Sequence, residues 1–181
     1  MFEKNPARMV ELPATQRTVQ PIPSPAEVEQ LLDALAKEPR HYRMFYLLSL
    51  YTGCRRGELC ALQWSDFSPC QDGFLLTVCR SRTNVPGNGI VEGFTKNGRS
   101  REIYLPADLC GVLRSYRRRK EMEATQARRK LSPYLFTDAH GQLIHPDTFT
   151  KRLRKIYQSI GFPKEYHLHT LRHYFVTALL H

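Results

Sequence analysis

The hydrophobic pattern of the chain changes from helical to strand spacing and back again, which limits the folds that are open to it. Apolar side chains recur at helical spacing from Val28 to Leu35, behind a capping box that begins at Ser24. Three short segments are then rich in β-branched and aromatic residues, with an Asn-Gly turn signal between the last two. These strand candidates are residues 74–82, 90–95 and 101–105. Because helical patterns return from Pro106, the sequence predicts a mainly helical α+β fold with a small three-stranded antiparallel sheet.

The remaining helical segments differ in how much of their surface is apolar. Residues 42–51 are apolar nearly all round, which is typical of a buried helix. Residues 148–160 form a basic amphipathic pattern with one apolar face. Further helices are expected over residues 56–62, 106–130 and 169–181. The helices therefore lie on both sides of the predicted sheet segments in the sequence.

The length of 181 residues suits one compact domain with its own core. Residues 1–23 contain several prolines and show little periodicity, so we expect a linker or an extended arm there. No apolar run is long enough to cross a bilayer, and we expect no membrane partner. We place the compact domain at residues 24–181.

The formal net charge is +10, and nucleic acid is the first partner that such a charge suggests. The basic residues are concentrated in two stretches, one in the long helix after Pro106 and one in the amphipathic helix. Two solvated helix faces would have the same composition, so that alternative stays open. The side chains that we expect to contact DNA are Arg117, Arg118, Arg119, Lys120, Lys151, Arg152 and Lys155.

The five cysteines argue against both disulfides and zinc. Their number is odd and no two of them have the C-x-x-C spacing. Small semi-buried side chains in a reducing compartment are the simpler interpretation. We therefore expect no metal site and no disulfide framework.

Two of three motifs that could carry chemistry place a basic residue beside a turn. In Thr52-Gly-Cys-Arg-Arg-Gly-Glu-Leu59, a glycine turn precedes Arg55, whose planar guanidinium can grip a phosphate with two parallel hydrogen bonds. Lys96 lies at an Asn-Gly turn, where a lysine with a lowered pKa could act as a general acid. Taken singly, each is better explained as an exposed surface residue.

The third motif is His169-Thr-Leu-Arg-His173, within a predicted helix. His169 and Arg172 are three positions apart and share a helix face, and His173 is also within reach of His169. The two histidines could suggest a metal site, but no carboxylate accompanies them and Arg172 between them would repel a cation. Metal binding is therefore disfavoured.

The order T-G-x-R-x-G-E-L, T-K at a turn, and H-x-L-R-H resembles the tyrosine recombinase, or phage integrase, family. The run from Thr52 to Asp66 is similar to the first arginine motif of that family, and the run from His169 to Thr177 is similar to the second. The resemblance extends over roughly residues 24–181 and is strongest to integrases of phages and conjugative transposons. It implies site-specific DNA recombination, by breaking and rejoining DNA through a 3′-phosphotyrosine intermediate.

The resemblance also implies a role for each matching residue. Arg55 and Arg172 would clamp the scissile phosphate, and Lys96 would protonate the leaving 5′ oxygen. His169 would assist proton transfer, and Glu58 would orient the first arginine motif. His173 matches a less directly catalytic position, with a structural role. No cofactor or metal is implied.

In the family a further His or Trp and then the nucleophilic tyrosine follow the second arginine motif, whereas this chain ends at His181. We therefore expect a catalytic domain incomplete at its C-terminus, preceded by a linker from a core-binding domain that is missing. Such a fragment should bind DNA without cleaving it. The complete protein would act on double-stranded attachment sites as a tetramer, in the cytoplasm, on the bacterial nucleoid or in a phage-infected cell. Two alternatives stay open: a non-catalytic, DNA-binding truncated integrase, and a relative of type IB topoisomerases.

Overall fold

The computed structural model describes residues 21–85, 87–95 and 98–178, and of Ala178 only the backbone. Within these residues the fold is α+β and mainly helical, as predicted. The helices are α1 Pro25–Ala36, α2 Arg40–Thr52, α3 Arg56–Cys60, α4 Ala107–Gln126, α5 Pro146–Ser159 and α6 Leu168–Ala178. The strands are β1 Phe67–Cys70, β2 Gly73–Val78, β3 Arg80–Val85, β4 Gly89–Phe94 and β5 Arg101–Pro106. A 3-10 turn, Trp64–Asp66, leads into β1.

The helix α2 forms the centre of the hydrophobic core. It contacts all five other helices, and most of its side chains are buried, as the sequence predicts. Phe45 is fully buried and stacks on Phe149 of α5, with ring centroids 3.8 Å apart. Tyr46 donates its hydroxyl hydrogen bond to the Phe149 backbone oxygen at 2.7 Å. Burying a polar tip is costly unless it is bonded, so this contact fixes α5 against α2.

Local sequence signals account for several helix ends. Ser24 and Glu27 form the predicted capping box at the start of α1. Gly53, at φ 55°, ends α2 in the left-handed conformation that glycine tolerates best. The helix α4 ends at Gln126, earlier than the predicted Lys130. The predicted last helix is observed as α6, while residues 179–181 lie outside the described part of the chain.

A three-stranded antiparallel sheet is present, but its members differ from the expectation. It has the order β1-β2-β5, while β3 and β4 form a separate two-stranded hairpin. The segment expected as one strand over residues 74–82 is divided, because Val78 still pairs with β5 whereas Arg80 already pairs with β4. The edge strand β1 was not expected; Pro69 in it removes one backbone donor, which only an edge strand tolerates.

The hairpin β3–β4 lies next to α3. The Ser81 and Arg82 region of β3 touches α3 directly at Gly57. None of the helices in the described residues is long and apolar enough to span a membrane. The hairpin lies against the helix that directly follows Arg55.

Candidate active site: a basic pocket between two arginine motifs

The two arginine motifs line one pocket of about 270 Å³. Arg55 reaches it from the start of α3, whereas His169 and Arg172 reach it from α6. The residues lining the pocket are Cys54, Arg55, Arg56, Thr150, His167, Leu168, His169 and Arg172. Three of the four side chains that we expected to be catalytic are therefore together, although they are distant in sequence.

The turn before Arg55 is fixed by backbone geometry and by Thr52. The buried Thr52 hydroxyl donates to the Leu48 carbonyl and accepts from the Cys54 backbone N–H at 3.2 Å. Arg55 itself is extended, at φ −68° and ψ 155°, and is the N-cap residue of α3. Its side chain is 50% exposed, so much of the guanidinium faces solvent in the pocket. This arrangement leaves Arg55 able to bind an anion.

Glu58 is a buried residue that forms hydrogen bonds with Arg55. Its carboxylate is only 2% exposed and accepts from the Arg55 backbone N–H at 2.7 Å and from Arg55 Nη1 at 3.2 Å. Burial acts to raise the pKa of Glu58, but hydrogen bonds from Arg101 and Arg55 outweigh it and the pKa is lowered. The contact fits the predicted orienting role of Glu58, which itself stays a prediction.

Arg101 is a further member of this cluster that the sequence analysis missed. From the first position of β5, its Nη1 and Nη2 donate to the two Glu58 oxygens at 3.0 and 2.7 Å. One signal was available in the sequence: in a strand, Arg101 shares a face with Ile103 and Leu105, and Leu105 is fully buried. An arginine on the inward face of a strand is expected to have an acidic partner.

Both glycines of the first arginine motif are required by close packing. A Cβ atom at Gly57 would lie 2.8 Å from the backbone oxygen of Arg82 and 2.5 Å from Ser81 Oγ. A Cβ atom at Gly53 would lie 2.4 Å from Cδ1 of Phe175 in α6. These glycines therefore let β3 and α6 approach the segment that presents Arg55.

Arg172 joins the second motif to the first. Its Nη1 donates to the Gly53 backbone oxygen, across 119 positions of sequence. Next to it, Thr170 and Leu171 are buried, so this side of α6 is packed against the body of the protein. A single contact of Arg172 thus ties α6 to the turn that precedes Arg55.

His169 lies in an electropositive environment. Its pKa is lowered, first by partial shielding of the ring from water and then by His167, His173, Arg172 and Arg55. The lowered pKa favours the neutral imidazole, which can accept a proton. His173 is exposed and is not among the residues that line the pocket, and its expected structural role stays a prediction.

Lys96 and Asn97 lie outside the described residues, but Thr95 and Gly98 on either side of them are described. Thr95 is buried, and its hydroxyl donates to the Arg99 backbone oxygen at 2.7 Å. The Gly98 N–H donates to the Thr95 oxygen, also at 2.7 Å. The ends of the segment that contains Lys96 are thus connected, and the role of Lys96 stays a prediction.

The residues expected to contact DNA fall into different environments. Lys120 is only 6% exposed, and its Nζ donates to the Thr137 backbone oxygen at 2.7 Å, so its assignment to a DNA-facing surface is corrected. Arg152 is committed to a two-pronged ion pair with Glu38, at 2.6 and 2.8 Å. The exposed members are Arg117, Arg118, Arg119, Lys151 and Lys155. Arg117 and Arg119 also pair with acidic residues one helical turn away.

Across residues 21–85, 87–95 and 98–178, no group of three or more His, Cys, Asp or Glu side chains is placed to hold a metal ion. The positive charge of the pocket comes from guanidinium groups. Arg55, His169 and Arg172 lie around one small pocket, and guanidinium groups arranged in this way can bind a phosphate group.

The chain belongs to the phage integrase family, whose model matches residues 24–181. It is 30% identical to an integrase of Mycobacterium phage L5 over 174 residues, covering 95% of this chain and 44% of that protein. It is 28% identical to a tyrosine recombinase of Pseudothermotoga lettingae over 178 residues, covering 98% of this chain and 53% of that protein. The chain therefore spans about half the length of the curated relatives it matches.

A solved structure has the same fold. The Tn1549 transposon integrase in complex with transposon right end DNA superposes with a TM-score of 0.76 at 16% identity. The match covers 98% of this chain and 58% of that one. The likeness confirms the tyrosine recombinase catalytic fold that the sequence predicts.

Proposed function

We propose that this chain is the catalytic part of a site-specific DNA recombinase that integrates or excises a mobile element. The observation that carries the proposal is the convergence of Arg55, His169 and Arg172 on one pocket in a chain of the phage integrase family. Cleavage of a phosphodiester requires charge stabilisation on the non-bridging oxygens. Two guanidiniums from separate helices supply that charge at one place.

The proposed chemistry gives each group a defined task. Arg55 and Arg172 hold the non-bridging oxygens of the scissile phosphate, and Lys96 protonates the leaving 5′ oxygen. His169, whose lowered pKa favours the neutral form, accepts the proton of the attacking hydroxyl. The attack yields a 3′-phosphotyrosine, which retains a phosphoester bond for rejoining to a new 5′ end. No cofactor takes part in this scheme.

We propose that the attacking tyrosine belongs to a part of the protein beyond these 181 residues. Many tyrosines in the described residues are already engaged elsewhere. Tyr46, Tyr116 and Tyr157 are buried, and burial raises the pKa of each hydroxyl. Tyr134 and Tyr166 are hydrogen bonded to Glu92 and Glu27. In the same proposal, residues 1–23 connect to a core-binding domain, and residues 24–181 form part of the catalytic domain.

The proposed partner is double-stranded DNA at attachment sites. The exposed cations of α4 and α5 would contact phosphates along the duplex; these are Arg117, Arg118, Arg119, Lys151 and Lys155. Lys120 and Arg152 are left out because their donors are committed within the protein. Exchange of two duplexes needs four strand cleavages, which a tetramer with one active site per protomer would provide. We propose that the protein acts in the cytoplasm, on nucleoid or phage DNA.

The test is a covalent trapping experiment with the complete recombinase that carries this chain. A duplex selected from a random library by binding would be labelled, nicked next to the cleavage position and incubated with the wild type and with Arg55→Ala and Arg172→Ala. We expect a protease-sensitive, SDS-resistant adduct with the wild type and a loss of at least about a hundredfold in rate with each variant. Lys37→Ala, an exposed cation at the end of α1, is the control and should react as the wild type does.

Two outcomes would contradict the proposal. Absence of any adduct on a tightly bound duplex would leave a DNA-binding protein without cleavage activity. An adduct that relaxes supercoiled DNA but never exchanges strands between two duplexes would indicate a topoisomerase.

A further inference from the structure

We propose that Arg101 is a positioning residue that neutralises the buried Glu58 and thereby leaves Arg55 free to hold a phosphate. The inference rests on the proposed function of Arg55 as a phosphate-binding side chain. It assigns a task in the same site to a residue on β5, outside both arginine motifs.

The geometry divides the Glu58 carboxylate unequally between two arginines. Arg101 uses both terminal nitrogens, at 3.0 and 2.7 Å, which is the two-pronged arrangement that guanidinium favours. The Arg55 side chain contributes one longer contact, at 3.2 Å from Nη1. The remaining Arg55 nitrogens are therefore not committed to Glu58, and the side chain is 50% exposed.

The charges explain why this division matters. A carboxylate that is 2% exposed is costly to bury unless it is paired. Within the cluster of Arg55, Arg101 and Glu58, two guanidiniums and one carboxylate sum to a net charge of +1. Without Arg101 the sum is zero, and Arg55 becomes the side-chain cation left to pair with Glu58. A phosphate would then compete with Glu58 for the same guanidinium.

Other charged groups on the neighbouring elements have partners of their own. Arg56 of α3 pairs with Asp147 of α5 at 2.6 Å. Arg82 of β3 lies 3.4 Å from Glu92 of β4. Cys54, which also contacts Arg101, stays a neutral thiol because burial raises its pKa. On α6, the imidazole of His169 is kept mainly neutral by its lowered pKa.

The experiment measures binding of inorganic sulfate to the chain of residues 1–181, by NMR of arginine Nε–Hε signals. Sulfate keeps its charge between pH 4 and 8, unlike phosphate. The variants are Arg101→Met, Arg101→Lys, Glu58→Gln and the double variant Arg101→Met/Glu58→Gln. Arg99→Met is the matched control, since it removes an exposed arginine two positions away.

We expect Arg101→Met to weaken sulfate binding about threefold to thirtyfold, the range for losing one nearby charge between high and intermediate dielectric. The double variant should bind more tightly than Arg101→Met, because it restores the net charge of +1. A residue that only stabilised the fold would leave the sulfate affinity of the folded variants unchanged. Arg101→Lys, which keeps the charge, should lie between the wild type and Arg101→Met, and Arg99→Met should bind as the wild type does.

The pH dependence gives a second readout. Losing Arg101 removes the main group that lowers the Glu58 pKa while burial, which raises it, remains. Binding by Arg101→Met should therefore recover, relative to the double variant, as the pH is lowered and Glu58 becomes protonated. Protonation of His169 affects both proteins alike and cancels in this comparison.

Two results would overturn the inference: equal sulfate affinity of Arg101→Met and the wild type, or a double variant that binds no better than Arg101→Met. If Arg101→Met does not fold, Glu58→Gln decides, since it should bind sulfate at least as tightly as the wild type. The proposed function is judged separately, by adduct formation in the complete recombinase. If the complete recombinase cleaves DNA but the double variant binds sulfate no better than Arg101→Met, the proposed function stands and the role assigned to Arg101 is wrong.

Discussion

Replacing Gly53 by alanine tests the packing that brings the two arginine motifs together. Gly53 is buried, has φ 55°, and has Phe175 Cδ1 only 2.4 Å from the position of a Cβ atom. The left-handed conformation costs a non-glycine residue about 1–2 kcal/mol. Displacing a packed ring adds about 1–3 kcal/mol. We therefore expect Gly53→Ala to lower the free energy of unfolding by about 2–5 kcal/mol.

Two other glycines separate these contributions. Gly161 has φ 74° but open space where a Cβ atom would lie, so Gly161→Ala should cost only the backbone strain, about 1–2 kcal/mol. Gly111 lies within α4 with open space around it, and Gly111→Ala should stabilise the protein by about 0.5–1 kcal/mol. The three substitutions add the same methyl group in three different surroundings.

Urea denaturation followed by circular dichroism would measure the free energy of unfolding of the wild type and the three variants. The expected order of stability is Gly111→Ala, wild type, Gly161→Ala and Gly53→Ala. If Gly53→Ala and Gly161→Ala lose equal free energy of unfolding, Phe175 does not pack closely against Gly53. The packing of α6 described here would then be wrong.

Three further predictions concern charged side chains and the source of the attacking tyrosine. Lys120→Met should lower the free energy of unfolding by about 1–3 kcal/mol, because the Thr137 oxygen loses its donor, yet leave the salt dependence of DNA binding unchanged. Lys151→Met should leave the free energy of unfolding unchanged and reduce the slope of DNA affinity against salt concentration by about 0.9. Fluorescence anisotropy at several salt concentrations would measure both slopes. A changed slope for Lys120→Met would mean that Lys120 does face DNA. His41 has a pKa lowered by burial and by Lys120, so the unfolded chain takes up its proton near pH 6.5 and the folded chain only below that. Stability should therefore fall as the pH drops below about 6.5, and less so in His41→Gln than in the control His140→Gln. An equal change of the urea midpoint between about pH 7.5 and about pH 5 in the two variants would contradict this. Residues 1–181 alone should form no covalent adduct with a nicked duplex on a denaturing gel, whereas an adduct would mean that one of their own tyrosines attacks.

Local signals predicted the helices well. The capping box at Ser24, the apolar run of α2 and the apolar face of α5 all depend on residues a few positions apart, and each is observed. Phe149 and Leu153 are buried, as their spacing indicates. Helical spacing placed His169 and Arg172 on one face, whereas their meeting with Arg55 followed from the family resemblance, since no periodicity connects residues so far apart.

Features that depend on distant partners were not predictable in the same way. The change of sheet at Cys79 depends on which strand is available for pairing, and β1 is short and contains a proline. Burial of Lys120 depends on the Thr137 oxygen, which no sequence pattern reveals. Arg101 could be placed on an inward strand face, but its partner Glu58 lies 43 positions away.

The hydrogen bond from Arg172 to the Gly53 oxygen makes the pocket depend on the docking of α6. Arg55 belongs to the central body, whereas Arg172 belongs to α6, so the pocket exists only while α6 is docked. An anion held by both arginines binds the docked form and not the open one, and by mass action it shifts the equilibrium towards docking. Hydrogen exchange of the α6 amides should slow as sulfate is added, while exchange in α1 should not. Binding of an anion in the pocket and docking of α6 are therefore thermodynamically coupled.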